Sequence, residues 1–320
     1  MHEGTDGARM RAMSPRGWGG PEVLAAIETE RPSPGPTEIL VRVHAAGVNA
    51  TDWKARGHGG LGLWDDPVIL GHDVSGVVEA VGLGVTLFEP GDEVFGMPQF
   101  PGQAGAYAEY VAAPARHFVR KPEEIDHVQA AALPLAGLTV WQALTEMVNL
   151  QPGQRVLIHA AAGGVGHLAV QIAKELGAHV IGTARRAKHP FLQKLGADEV
   201  IDYTHVDFAD VIPKVDAVID TIGGDYGIRS LRVLRPGGTL VSLAGANDAP
   251  PREMAHEHGV RSGFMLVEPD YAGLKAIASL AAAGRLRAQV DTVLPLVEAA
   301  QAHTLGETGR TTGKIVLTVA

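Results

Sequence analysis

The sequence predicts an α/β architecture, a doubly wound parallel sheet joined to a second, mainly antiparallel and barrel-like β domain. From Ile39 to about Val119 the chain consists of short β-type runs, such as Ile39–Val43 and Val94–Gly96, separated by Gly, Pro and Asp turns. After Pro122 apolar β runs recur at spacings that leave room for helices between parallel strands. A glycine-rich turn joins the first of these runs to an amphipathic helix, the arrangement of a nucleotide-binding βα unit.

A helix-like segment covers Ile125–Asn149, and the runs Val156–Ala161, Val180–Thr183, Val200–Tyr203, Ala217–Ile222 and Thr239–Leu243 are the expected strands. Leu168–Leu176 has apolar residues at helical spacing, and Gly177 is its expected stop. Another helix is expected over Tyr271–Ala283. The β texture then returns at Val290–Leu296 and Lys314–Val319, so the C-terminus is expected to rejoin the first domain.

Composition narrows the function classes. With 46% apolar residues the chain is neither disordered nor collagen-like despite its 40 glycines. The absence of cysteine excludes disulfides, thiolate metal sites, iron–sulfur clusters and a cysteine nucleophile. A net charge of -9 with scattered basic residues argues against a nucleic-acid groove as the main function. The longest apolar stretch, about Ala130–Trp141, is short and contains Pro134, and Met1–Arg11 carries Glu3, Asp6 and Arg9 with no apolar signal core. The expectation is a cytoplasmic protein with no membrane or nucleic-acid partner.

After Arg155–Ala160 comes Ala161-Ala162-Gly163-Gly164-Val165-Gly166, a G-x-G-x-x-G pattern with alanine at the first glycine. Gly163 lets the backbone approach a pyrophosphate, and Gly166 lets helix and strand pack closely. The helix N-terminus offers free N–H groups to the anion. The plainer alternative is a tight turn with no ligand. About 20 residues further on, an NAD site would place a carboxylate on the ribose 2′-hydroxyl. Here stand Thr183, Arg185, Arg186 and Lys188, with no acid between Glu175 and Asp198. Guanidinium groups favour the 2′-phosphate of NADPH, whereas a carboxylate would repel it; solvated loop charges are the alternative.

Gly71-His72-Asp73-Val74-Ser75-Gly76-Val77-Val78 and Gly91–Gly96 resemble the medium-chain dehydrogenase/reductase superfamily. Ala45–Lys54, Gly105–Tyr110, Leu133–Thr139 and Gly313–Leu317 resemble its zinc-independent quinone oxidoreductase branch. The resemblance implies a Rossmann domain and a GroES-like antiparallel β-barrel domain. The expected boundaries are 1–125 for the GroES-like substrate domain, with residues 1–9 an extension, 126–287 for the dinucleotide-binding domain, and 288–320 for the return. Zinc alcohol dehydrogenases of the superfamily bind their catalytic ion through cysteines and the histidine of Gly-His-Glu. Here Asn49 stands at the first cysteine position, the later one falls near Leu135, and His72 alone survives, so no metal is expected.

Without zinc, alcohol oxidation lacks its Lewis acid, but hydride transfer to a quinone or an α,β-unsaturated carbonyl stays feasible. The resemblance implies that same reaction. It also places Asn49 at the nicotinamide–substrate cleft, with Asp52 orienting neighbouring donors and Lys54 supplying a cation or proton. The alternatives are a turn held by Asn49, an Asp52–Arg56 pair and a solvated Lys54. By the same resemblance Thr139, Leu243 and Ala244 contact the nicotinamide side of the cofactor and Tyr203 lies near the adenosine phosphate, the alternative for Tyr203 being ordinary packing. Trp53, Trp64 and Phe100 are candidates for an apolar acceptor pocket. Phe264–Val267 is expected as the last strand of the parallel sheet, where relatives pair subunits, so a homodimer is expected, with a buried edge strand in a monomer as the alternative. The competing functions are an enoyl-thioester reductase and a non-catalytic, crystallin-like NADPH-binding protein.

Overall fold

The computed structural model of the chain describes residues 8–319. They divide into two compact units: the described residues up to Leu135 with Glu268–Gly284 and the segment from Val290 onward, and Ala136–Val267 with Arg285–Gln289.

In the first unit β1 (Arg9–Pro15) and β2 (Leu24–Glu30) pair antiparallel. Then come β3 (Glu38–Val48), α1 (Ala50–His58), β4 (Asp73–Val81), β5 (Glu93–Gly96), β6 (Tyr110–Pro114), β7 (Phe118–Arg120) and α2 (His127–Ala131). The chain continues through α3 (Pro134–Gln142), a π-helical turn at Ala143–Met147, β8 (Arg155–Ile158), α4 (Gly166–Glu175), β9 (His179–Thr183) and α5 (His189–Lys194). The second unit is completed by β10 (Glu199–Ile201), α6 (Phe208–Val211), β11 (Val215–Asp220), α7 (Asp225–Leu231), β12 (Leu234–Ser242), α8 (Arg252–Glu257) and β13 (Arg261–Phe264). Last are α9 (Tyr271–Ala282), β14 (Val290–Pro295), α10 (Ala299–Glu307) and β15 (Lys314–Thr318).

The second unit holds a parallel sheet in the order β10-β9-β8-β11-β12-β13. All of β11 is buried, which is why Ala217, Val218 and Ile219 follow one another with no polar alternation. Leu157, Ile181, Val218 and Leu240 pack in its core. In the first unit the order is β14-β15-β3-β4-β5-β7, with β6 also on β3. One edge of β3 serves two partners in succession, β6 along Glu38–Arg42 and β15 along Ala45–Val48. The C-terminal strand β15 thus pairs with β3, and Ile39, Val41, Phe118, Ile315 and Leu317 share one core.

Several expectations are corrected. Among the described residues the first unit's sheet is an open path, not a closed barrel, and β1–β2 stays a separate sheet tied to it by a bridge between Ala12 and Ala108. Its β14–β15 pair is parallel, because α10 between them forms a crossover. The segment 125–149 is not one helix: Pro134, with no N–H to continue α2, opens α3 instead. The edge strand is Arg261–Phe264 rather than Phe264–Val267, since its partner β12 ends at Ser242; only Met265 adds one more bond, to Ser242. Helix α9 packs on β7 in the first unit. Residues 1–7 of the expected extension lie outside the described residues, and Arg9 already belongs to β1. Among the described residues no helix is long and apolar enough to cross a membrane.

Candidate functional site

In the first unit, β3 delivers Asn49 to the N-cap of α1. Asp52, fully buried one turn later, accepts the Asn49 N–H on Oδ2 at 2.7 Å, the reciprocal arm of a capping box. The same carboxylate accepts the Tyr107 hydroxyl at 3.1 Å, and its Oδ1 lies 3.2 Å from His72 Nδ1. The other His72 nitrogen lies 3.2 Å from the Gly102 carbonyl. Tyr107 Oη is 3.1 Å from His303 Nε2, and His303 Nδ1 is 3.3 Å from Arg56 Nη1. Arginine can only donate, so Arg56 fixes the polarity of this chain. His303 accepts at Nδ1 and donates from Nε2 to Tyr107, which donates to Asp52. Burial, against the opposing pull of the Asp52 carboxylate, holds His303 neutral, its pKa lowered to about 4. Arg56 itself pairs with Glu307 and donates to the Gly19 carbonyl, so the alternative Asp52–Arg56 pair is not the one formed.

A second buried cluster shares Asn49. Asp73 Oδ2 accepts Asn49 Nδ2 at 2.8 Å and lies 3.3 Å from Lys314 Nζ, while its Oδ1 accepts the Leu135 N–H at 2.7 Å. Lys314 Nζ also donates to Asn49 Oδ1. The asparagine amide is thus oriented at both ends, by the ammonium on its oxygen and the carboxylate on its nitrogen, with one N–H left over. Burial raises the Asp73 pKa, while Lys314 and the hydrogen bond from Asn49 lower it. Lys54 lies on the exposed face of α1, away from the buried Asp52. Of the aromatic candidates, Phe100 and Trp64 flank His72 at ring-centroid distances of 4.9 and 6.2 Å, whereas Trp53 sits 6.3 Å from His303.

In the second unit the glycine loop joins β8 to α4. A Cβ on Gly166 would stand 2.4 Å from the Ala160 carbonyl oxygen, so only glycine permits this approach. Gly164 and Val165 N–H groups donate to no acceptor among the described residues. Thr183, buried at the end of β9, turns its hydroxyl inward, where it accepts the Ala160 N–H at 3.3 Å and lies 3.2 Å from His159 Nδ1. His159 Nε2 is 2.8 Å from Ser230 Oγ, which donates to the Tyr226 carbonyl. Burial, reinforced by Arg229, lowers the His159 pKa to about 3 and keeps it neutral. Beyond β9, Arg185 Nε donates to Tyr203 Oη at 3.2 Å; Arg185 and Arg186 are exposed and Lys188 is half-buried. The nearby Asp202 carboxylate is taken up by Thr204 and His205, which with the Thr204 N–H hold its pKa down to about 2. Thr139 is buried in α3, and Leu243, just past β12, donates its N–H to the Asp220 carbonyl, with Ala244 next in the chain.

Sequence reading missed Lys314, Tyr107 and His303 as site residues. The signal available was polarity out of place: Lys314 opens a strand that continues Ile-Val-Leu, and Tyr107 stands between alanines.

Residues 35–123 match the family model of the alcohol dehydrogenase GroES-like domain, and 195–317 match that of a zinc-binding dehydrogenase. The chain is 36% identical to the 2-haloacrylate reductase of a Burkholderia species, across 93% of this chain and 96% of that protein. Its fold matches the quinone oxidoreductase of Coxiella burnetii with a TM-score of 0.92 and 38% identity, across 98% of this chain and all of that one (100%). The chain belongs to the medium-chain dehydrogenase/reductase superfamily, in its quinone oxidoreductase branch. It is a medium-chain reductase. A mycobacterial relative solved with NADPH matches with a TM-score of 0.86 and 31% identity, across 97% of this chain and 100% of that one.

One matched family description names zinc, and among the described residues no group of three or more His, Asp or Glu side chains is placed to hold a metal ion. Asn49, at a ligand position of the zinc enzymes, has its oxygen taken by a cation and its nitrogen by a carboxylate. Leu135 has an apolar side chain, and both His72 nitrogens face oxygen acceptors within the chain.

Proposed function

We propose that the enzyme is an NADPH-dependent, zinc-independent reductase that transfers hydride to a quinone or an α,β-unsaturated carbonyl. The observation that carries this reading is the Lys314–Asn49–Asp73 triad, an ammonium beside the residue that matches a zinc-ligating cysteine. With Asn49 held between an ammonium and a carboxylate where the zinc enzymes place a ligand, the reading calls for an acceptor that is electrophilic already. The name of the Burkholderia relative supports such an acceptor, since a 2-haloacrylate carries its alkene conjugated with a carboxylate.

NADPH, when bound, supplies the hydride. Gly163, Gly164, Val165 and Gly166 would hold its pyrophosphate, and Thr139, Leu243 and Ala244 its nicotinamide side. Arg185, Arg186 and Lys188 would hold its 2′-phosphate, with Tyr203 alongside and Thr183 bracing the loop from within. Asn49 and Lys54 are the donors proposed for the developing oxyanion, and Asp52 is a positioning residue for Asn49 through the capping box. The reading assigns cofactor binding to 126–287 and substrate binding to 1–125 with 288–320. It also places the enzyme in the cytoplasm as a homodimer built on the β13 edge.

The test is oxidation of NADPH and of NADH by metal-free protein with a panel of quinones and enones. Acceptor-dependent oxidation that survives chelation and is much faster with NADPH is expected. Chelator-sensitive alcohol oxidation would overturn the reading, and tight NADPH binding without turnover on any acceptor would favour a binding protein.

A further inference from the structure

His167, in the first turn of α4, is fully buried, and the roles of its two nitrogens are set by what they face. Nδ1 lies 2.8 Å from the Gly163 carbonyl oxygen, which can only accept, so Nδ1 carries the proton. Nε2 receives the Gln289 N–H at 3.0 Å, so it is the bare nitrogen. Four residues on, on the same face of the helix, Gln171 makes a two-way pairing with the Arg287 backbone. Its Nε2 donates to the Arg287 carbonyl, and its Oε1 accepts the Arg287 N–H, both at 3.0 Å. Residues i and i+4 of the helix thus meet alternate residues of the segment 287–289.

We infer that His167 is a positioning residue for the dinucleotide pyrophosphate: its Nδ1–H pins the Gly163 carbonyl along α4, which aims the Gly164 N–H off the helix's N-terminal end. The step from carbonyl to N–H follows from the planar trans peptide, whose C=O and N–H point in opposite directions. The carbonyl also accepts the His167 backbone N–H at 3.2 Å, so the imidazole adds a second donor and resists rotation of that peptide. The Gln171 pairing and the Gln289 bond fasten the helix that carries this histidine to 287–289. This role rests on the cofactor reading given above and deepens it. It calls for a neutral imidazole, because a proton on Nε2 would face the Gln289 N–H.

The experiment uses the full chain and its variants His167→Asn, His167→Gln and His167→Leu, titrated with NADPH, NADH and adenosine 2′-phosphate, with thermal unfolding measured on each. Asparagine places a donor where Nδ1 stands, and glutamine places an acceptor where Nε2 stands. H167L and H167Q are expected to bind NADPH and NADH about tenfold more weakly, by the same factor for both, as the loss of one buried hydrogen bond implies. Adenosine 2′-phosphate, which lacks a pyrophosphate, should bind as to the wild type, and H167N should retain most of the dinucleotide affinity. Should H167L fail to fold, the contrast between H167N and H167Q decides. Dinucleotide binding that H167Q keeps and H167N loses, or a loss shared by adenosine 2′-phosphate, overturns the role of His167 alone. Wild-type protein that binds neither dinucleotide overturns the cofactor reading and this role with it.

Discussion

Replacing Lys314 by methionine keeps the apolar stem but removes the ammonium that bridges Asn49 and Asp73. The Asp73 carboxyl is fully buried, and the bonds from Asn49 and the Leu135 N–H remain, but the compensating charge is gone. Taking one partner from a buried ion pair costs about 3–5 kcal/mol. K314M should therefore lose about that much stability in denaturant unfolding at neutral pH. Because burial already raises the Asp73 pKa and Lys314 opposes the rise, the variant's carboxyl should shift further upward. A folded-state pKa above the unfolded one means that the penalty grows with pH and shrinks on acidification, as the buried carboxyl takes up its proton. Adding Asp73→Asn removes the stranded charge, so K314M/D73N should be more stable than K314M alone, a non-additive pair in a double-mutant cycle. Acceptor reduction should fall in K314M through misorientation of the Asn49 amide. Loss of under about 1 kcal/mol in K314M, or strict additivity with D73N, would refute the reasoning, because the ammonium would then not be holding the carboxylate.

Arg185→Ala should weaken NADPH binding by about 10- to 100-fold, the worth of a charge-assisted bond, and leave NADH nearly unchanged; equal losses for both would remove the 2′-phosphate assignment. Gly166→Ala forces a Cβ to within 2.4 Å of the Ala160 carbonyl oxygen, so a lower melting temperature and lost dinucleotide affinity are expected together, and a variant that binds normally would show that the loop relaxes without cost. His303 and His159 have folded pKa values of about 4 and about 3, below an unfolded value of 6.5, so their stabilising share is full above pH 6.5 and fades as pH falls toward those values. Each can contribute up to about 1.4 kcal/mol per pH unit in that window, and His303→Gln should flatten its part of the acid loss measured by unfolding at stepped pH.

The nucleotide-binding half was legible because its signals are local. Apolar runs such as Val156–Ala161 and Val180–Thr183, the glycine turn and the stop at Gly177, with φ of +80°, all act within a few neighbouring residues. Asn49 and Asp52 were singled out by the resemblance alone; the capping box that joins them closes over three residues and came to light only with the hydrogen bond from the Asn49 N–H to Asp52. Lys314, Tyr107 and His303 were not, because their partners are distant in sequence: Lys314 meets Asn49 only because β15 pairs with β3. A buried ammonium, a chain of hydrogen bonds polarised by Arg56 and a histidine fixed as one tautomer exist only once folding brings their partners together. The chain's local patterns determined which strands, helices and glycine turns form. The tertiary structure decided which polar groups lose water and which partners replace it, because the cost of desolvation is set by everything packed around them.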